Sequence, residues 1–521
     1  MRLRNKLLTV AFLIAVFLIM PIFGTGAIWI QHVGLLPDTA VVFSSDAAAI
    51  DRFMASALKG YYGDRIGICD GANDEVEIQA AFDAVRSVKL STGQFNCEIA
   101  LNISNSDQTL RGCGRNTILT TSTSDLVFLS AIGGAGTEKT GIIIADLQID
   151  GGAGEVSDCG IYFEYVDYSF IHNVYSRRHA SGTGAYMSGI YLLNSDFNII
   201  TDNTCQGNGD AGVGAGIYLY SSSNNTVNNN MCQGNNSDEI HLYSSSGNTV
   251  VGNTCQGSVY GGIYLYAASH NTVSSNTIRG NARAGIHIYN SSNDNTITDN
   301  TLTENSQETT NTYDDIYLEN SDYNNIQGNT CRAGALANKP RYGINISSAA
   351  CDGNLVIDND LYDDGFGTAP FNDAGTATRL NTYVVPFSDG TKPWDWGYLL
   401  EIGGDIARTW LRLPDKVVQV VRIKVYAVAQ CSEADHMRAE FAIYGGADGQ
   451  GFNIHNGSIA NHPSVTDNMW SGMVIHWTIT TAGVLVLTGG DSIQIKVLHE
   501  VAGNGDCETD ATFRTVEIEY V

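Results

Sequence analysis

The sequence predicts an all-β chain: a parallel β-helix solenoid followed by an antiparallel β-sandwich of jelly-roll type. Three observations carry this prediction. Between Gly216 and Ser292 the chain repeats itself, with GIYLYSSSNNTVNNNMCQGN followed by EIHLYSSSGNTVVGNTCQGS and GIYLYAASHNTVSSNTIRGN, and a further copy opens at Gly285. Ile217, Ile240, Ile263 and Ile286 stand 23 residues apart, as do Val227, Val250 and Val273, and a period in the twenties is that of a solenoid. Within each copy apolar and polar residues alternate, and the Asn and Gly content is the reverse of what a helical repeat needs. After Leu380 the period is gone and alternating segments separated by turn residues take over.

Each repeat divides into three short strands. Ile217 and Leu219 point inward and Tyr218 and Tyr220 outward. A Ser/Asn turn leads to Asn225-Thr226-Val227, and Asn230 leads to a third strand through Cys232. The first-strand motif recurs at Gly160, Gly189, Gly216, Glu239, Gly262, Gly285, Asp315 and Gly343. Longer spacings outside the regular block place loops at 177–188, 305–314 and 333–342, where solenoids carry function. Asn225, Asn248, Asn271, Asn295, Asn325 and Asn354 are read as one turn column, taking left-handed backbone and stacking their amides along the axis.

Eleven cysteines lack any CxxC pair. Cys205, Cys232 and Cys255 recur with the repeat and are read as free thiols in a core ladder. Cys431 and Cys507 are the expected disulfide of the C-terminal part.

Residues 1–30 read as a signal peptide or, if uncleaved, a membrane anchor: three positive charges in the first six residues precede an uncharged apolar run. Either reading puts the bulk of the chain outside the cytoplasm, extracellular or at the cell surface. Residues 31–63 read as a connector with a short helix over Ser45–Leu58, its Ala49, Ile50, Phe53, Met54 and Ala57 on one face. The β-helix is expected over 64–380 and the sandwich over 381–521, with strands at 417–428, 438–444, 473–480, 484–487, 492–498 and 512–521.

Asp74 and Glu77 have the spacing of a capping box opening a helix. DGANDEVEIQAAFDAV at 70–85, followed by a strand and LRGCGRNTIL at 110–119, resembles the entry segment of pectate-lyase-like right-handed parallel β-helix proteins. The repeats from Gly160 onward resemble carbohydrate-binding and sugar-hydrolase repeats, also found in NosD-like periplasmic proteins. The resemblance spans about residues 64–380. It implies a right-handed solenoid whose open end is plugged by the helix, and a link to polysaccharides.

The composition narrows the partners. A net charge of −27, from 55 acidic and 28 basic residues, argues against nucleic acid and anionic membranes. A polyanionic substrate would need a local basic patch. Outward columns read Tyr162, Tyr191, Tyr218, His241, Tyr264, His287, Tyr317 and Tyr220, Tyr243, Tyr266, Tyr289. Tyr is amphipathic, so this wall is a candidate glycan-binding surface, its rings stacking on sugar faces. The opposing reading is a self-stacking ladder of good strand formers.

Catalytic candidates are sparser. Arg177, Arg178 and His179, beside Glu164 and Tyr162, contain the cation and base that a polysaccharide lyase needs. Glu239 and Asp315 are three coils apart, roughly 14 Å at ~4.8 Å per coil, beyond either glycosidase spacing. Polygalacturonase-like hydrolases of this fold pair such acids with Gly-His-Gly, which is absent, and Arg-Ile-Lys, which occurs only at 422–424 outside the solenoid. Asp358, Asp360, Asp363 and Asp364 are candidate Ca²⁺ ligands, the alternative being a solvated turn. His241 and His287, two coils apart, are too distant to share a metal. Three classes therefore stand: a glycan-binding or adhesive surface protein, a polysaccharide lyase or glycoside hydrolase, and a trimeric tailspike-like or structural fibre.

Overall fold

A computed structural model describes residues 38–62, 65–124, 126–152, 158–180, 187–209, 214–361, 365–386 and the strands 406–412, 420–428, 437–446, 474–480, 492–501 and 512–520. The predicted export segment, the predicted Cys431–Cys507 pair and the predicted strand 484–487 lie outside these residues. Among the described residues no helix is long and apolar enough to cross a membrane. The chain divides into two compact units, 1–295 and 296–521.

In the first unit the solenoid begins earlier than expected. Thr39–Phe43, inside the stretch read as a connector, pairs in parallel with Ile66–Ile68 and with Ser87–Leu90. Helix α1 spans Ala49–Tyr62. Its buried contact is Ala55, which packs on Val41, Phe43 and Ile66, whereas Ala49 and Phe53 are exposed. Of the face assigned from spacing, Ala49 and Phe53 thus point to solvent, and the side chains of Ile50, Met54 and Ala57 lie outside the described residues. Helix α2, Glu75–Ala84, buries Ile78, Ala81 and Phe82. Asp74 makes no side-chain cap bond to α2. Its oxygens accept from the Gly71 and Asn96 amides instead. The capping-box letters are present, but the loop before the helix and a neighbouring strand use the carboxylate.

The regular coils stack in register. Ile217 lies beside Ile240, which lies beside Ile263 and then Ile286. Val227, Val250 and Val273 align in the second strand. Cys205, Cys232 and Cys255 align in the third, all fully buried and unbridged. Three strands per coil leave three corners where the chain must turn without exposing polar backbone inside, and the corner before each new coil is lined by Asn208, Asn235, Ser258 and Asn281. Asn fills the other two. Asn225, Asn248 and Asn271 are each about 1% exposed. The Asn248 Oδ1 accepts the Asn225 amide at 2.8 Å, while its Nδ2 donates to the Ser222 carbonyl at 3.0 Å and to Asn271 Oδ1 at 3.1 Å. A second ladder runs through Asn203, Asn230, Asn253 and Asn276. The left-handed residue is the one before each ladder Asn: Asn224 has φ 57° and Asn229 has φ 52°. Two roles assigned to one residue are split between neighbours.

In the second unit, Thr296–Thr298, Asn325–Gln327 and Leu355–Ile357 stack in parallel, as do Ile316–Glu319, Tyr342–Ile346 and Ala369–Asp373. The ladder Asn here is Asn324, whose amide donates to Asn354 Oδ1 at 2.8 Å, and Asn325 instead lies in the strand. Arg379–Pro386 starts as a parallel partner of Leu355–Ile357 and continues as an antiparallel partner of Thr512–Tyr520. Thr512–Tyr520 also pairs antiparallel with Val420–Val428, and that strand with Val474–Thr480. Ser492–Val501 lies antiparallel to both Ile406–Arg412 and Met437–Gly446.

Candidate functional site

From Tyr162 onward the first strand of each coil in the first unit builds an aromatic face. Tyr162, Tyr191, Tyr218, His241, Tyr264 and His287 occupy one register column; Glu164, Leu193, Tyr220, Tyr243, Tyr266 and Tyr289 occupy the next. Tyr162 and Tyr191 are buried, at 8% and 2% exposure, and cluster with Cys159. From Tyr218 to Tyr289 both columns are half-buried. Tyr317 belongs to the second unit, in register with Asn345.

The rings stack on one another. Tyr220 on Tyr243 and Tyr243 on Tyr266 are parallel within 6° at 4.7 and 4.8 Å. Tyr218 on His241 and Tyr264 on His287 stack at 4.5 and 4.8 Å. Centroid spacings equal to the coil repeat, with parallel planes, point the ring faces along the solenoid axis. In the middle of the ladder each tyrosine ring is thus packed against the ring of the next coil. The stack breaks where Tyr191 meets Tyr218 at 73° and where Tyr266 meets Tyr289 at 74°.

An acid missed in the sequence completes this face. Asp238 Oδ2 lies 3.3 Å from His241 Nδ1, and Asp238 Oδ1 accepts the Gly261 amide at 2.9 Å. The contact favours the tautomer with its proton on Nδ1. The signal was available, since Asp238 pairs with Ala215 and stands where the regular coils otherwise carry Ala or Gly. Burial holds the His287 imidazole down to about 4, against an opposing pull from Asp238, and burial raises the Tyr218 phenol. At neutral pH the face thus carries a neutral His287 and a protonated Tyr218.

The basic knot is organised differently from the lyase expectation. Arg177 Nε and Nη2 reach Asp150 Oδ2 at 2.9 and 2.6 Å, and Arg178 Nε and Nη2 reach Oδ1 at 2.9 and 2.5 Å. Burial raises the Asp150 carboxyl, but hydrogen bonds from Arg178 and Arg177 outweigh it and leave the carboxyl lowered. His179 is fully buried, edge-on to Phe128, and burial drops it to about 3. Glu164 lies on the aromatic face, where it accepts the Tyr162 hydroxyl at 3.0 Å. The structure thus places Glu164 and the arginines on different strands of the coil and puts His179 in the interior.

The other acids are also accounted for. Glu239 is fully buried in the column that holds Gly216 and Gly262, bonded through Oε2 to Asn235 Nδ2. Asp315 Oδ1 accepts from Asn305 Nδ2 at 2.8 Å, and Asp314 is held by Arg341 at 2.8 Å. None of these three carboxylates is exposed. Of the Ca²⁺ candidates, Asp360 pairs with Arg332, Asp358 sits at a turn with φ 54°, and Asp363 and Asp364 lie outside the described residues.

These features define a parallel β-helix with an aromatic ladder along one face. Residues 120–313 match the family model of NosD, a family of right-handed β-helices described as a periplasmic copper-binding protein. No curated protein sequence matches the chain. Among solved structures, the A-module of mannuronan C-5 epimerase AlgE6 from Azotobacter vinelandii is 16% identical, with 59% of this chain and 96% of that chain covered and a TM-score of 0.39. DFA-IIIase from Arthrobacter chlorophenolicus A6, without its lid, is 12% identical over 65% and 93%, with a TM-score of 0.48. Full-length tailspike protein 2 from Escherichia coli O157:H7 bacteriophage CAB120 is 11% identical over 85% and 68%, with a TM-score of 0.47.

The close group of candidate ligands among the described residues does not fit copper. Copper sites use imidazole, thiolate or thioether ligands. Among the described residues, the group of three ligand atoms close enough to hold a metal is Cys69, Asp74 and Glu77. It contains no imidazole, its thiol is buried and raised mainly by burial, and both Asp74 oxygens already accept backbone amides.

Proposed function

We propose that the chain is an exported β-helix protein whose tyrosine–histidine face binds an extended extracellular polysaccharide or cell-surface glycan. The observation that carries this reading is the row Tyr220, Tyr243, Tyr266, whose parallel rings repeat at 4.7–4.8 Å. A linear glycan laid along the axis meets a hydroxyl and a ring edge at each coil. Stacking fixes the rings in advance, so little side-chain entropy is lost on binding. With this reading go cleavage or retention of residues 1–30 at export, a β-helix domain followed by a C-terminal domain from about 381, and packing of the two antiparallel sheets as a sandwich. Binding of the full chain to a glycan array tests it: selective binding that is lost when Tyr220, Tyr243 and Tyr266 are all replaced by Phe supports the reading, and an empty array contradicts it.

A second reading, turnover of the bound polysaccharide, is favoured by the Asp238–His241 contact, since an acid that orients an imidazole is a general-base arrangement. Release of unsaturated uronate or new reducing ends, abolished in His241→Gln, separates it from binding alone.

A further inference from the structure

We propose that Arg115, Tyr175, Arg177 and Arg178 form an anion subsite that takes a carboxylate or sulfate group of an acidic polysaccharide. The site lies along the strand Phe170–Arg177, with Arg178 just past its end and Arg115 in the turn before Thr117–Thr120, apart from the tyrosine ladder, and stands independently of that reading.

Three observations build it. The Tyr175 ring is shared by two cations: the Arg115 guanidinium carbon lies 4.5 Å from its centroid and that of Arg177 5.3 Å. Arg115 is exposed, yet it is held in place, because its Nη2 donates to Thr204 Oγ1 at 3.0 Å. The Tyr175 hydroxyl donates to Gln206 Oε1. Next, Arg178 has φ 62°. Successive strand side chains point to opposite faces, and the left-handed step lets Arg177 and Arg178 converge on the single Asp150 carboxylate. Finally, the charges do not balance. Among the described residues Arg177 and Arg178 share the Asp150 carboxylate and no carboxylate lies within ion-pair distance of Arg115, so three permanently charged guanidinium groups stand against one acid.

In a chain with 55 acidic and 28 basic residues, such a cluster is a focused positive potential against a negative background. The Arg177 and Arg178 side chains are 34% and 37% exposed, so the surplus charge is open to solvent. Guanidinium forks match oxyanions of carboxylate or sulfate type.

The polymer is indicated by what continues from the cluster. Arg177 is in register with Gln206, Gln206 with Gln233, Gln233 with Gln256, and Gln256 with Arg279. Gln256 Nε2 donates to Gln233 Oε1 at 3.1 Å, and Arg279 Nε donates to Gln256 Oε1 at 2.9 Å. A polar column with an arginine at each end suits an extended acidic glycan rather than a single small anion.

The test uses the full chain with polygalacturonate (carboxylate), dextran sulfate (sulfate) and neutral dextran. At low salt at least one charged polymer binds and neutral dextran does not compete. Raising the salt weakens the interaction, and Arg115→Ala lowers the affinity at least tenfold. Arg115→Lys restores it only in part, and Arg52→Ala, an exposed charge elsewhere, leaves it unchanged. Binding of polygalacturonate alone assigns a uronate, of dextran sulfate alone a sulfate ester, and of both the shared oxyanion chemistry. Thermal melting of Arg115→Ala and Arg115→Gln checks that this exposed position is not structural. Binding of neither charged polymer, or equal affinity in wild type and Arg115→Ala, overturns the proposal.

Discussion

The Tyr220 and Tyr243 rings lie parallel within 6°, their centroids 4.7 Å apart. Each ring is the other's packing partner, so the stack supports the coils. Parallel aromatic pairs add about 0.5–1.5 kcal/mol beyond burial. Tyr243 has such a partner on both sides. Tyr243→Ala is therefore expected to cost about 1–3 kcal/mol in denaturant unfolding, while Tyr243→Phe, which keeps both stacks, stays within about 0.5 kcal/mol of wild type.

Asn248→Ala strikes the interior. It leaves the Asn225 amide without its acceptor and removes the donors to the Ser222 carbonyl and Asn271 Oδ1. An unsatisfied buried group costs about 1–3 kcal/mol, so a loss of about 2–4 kcal/mol is expected. Because a solenoid coil depends mainly on its neighbours, hydrogen exchange should accelerate first in the adjoining coils. Uniform acceleration along the solenoid would contradict this.

Glu239 places a carboxyl where the two adjoining coils have Gly216 and Gly262. Burial, the largest influence, raises it well above its ordinary value of 4.5. The folded state therefore holds its proton more tightly than the unfolded state does. Stability from this group is full below about pH 4.5 and declines as pH rises through the folded value. Glu239→Gln should be more stable than wild type at pH 8 and gain nothing at pH 4, as measured by thermal melting. Equal destabilisation at both pH values would count against a titrating carboxyl.

His287 works in the opposite direction. Its folded value is lowered from 6.5 to about 4, so between those values the unfolded chain binds the extra proton. Its contribution is present above about pH 6.5 and is lost as pH falls through about 4. His287→Tyr places at this coil the residue that Tyr264 supplies one coil earlier. It should flatten the fall in stability between pH 6.5 and 4, and an unchanged slope would show that the imidazole does not carry it.

Much of the solenoid was legible because its signals are periodic. The Ile, Val and Cys columns predicted from 23-residue spacing are the columns that stack. The failures are local. Asn324 and Asn325 are indistinguishable by letter, and only the inward-facing Ile326 shows that Asn324 belongs to the ladder. Asp74 has capping letters, but its partners, Gly71 and Asn96, depend on how strands meet the loop. Tyr and His columns reveal an aromatic face without revealing which way the rings turn, since ring orientation follows from stacking across coils. Asp238 was missed because its partner His241 lies three residues away, a spacing with no special meaning in a strand. Arg115 was missed because 60 residues separate it from Tyr175, and only the stacking of coils brings them together.

The central claim is that the stacked tyrosine face binds a glycan through its hydroxyl row. Its most direct test is the equilibrium affinity of the full chain for the best ligand of a glycan array, compared with a variant carrying Tyr220→Phe, Tyr243→Phe and Tyr266→Phe together. The substitutions keep every ring and remove every hydroxyl of the row. The account predicts at least a tenfold loss of affinity with an unchanged melting temperature. Unchanged affinity in the triple variant would contradict it.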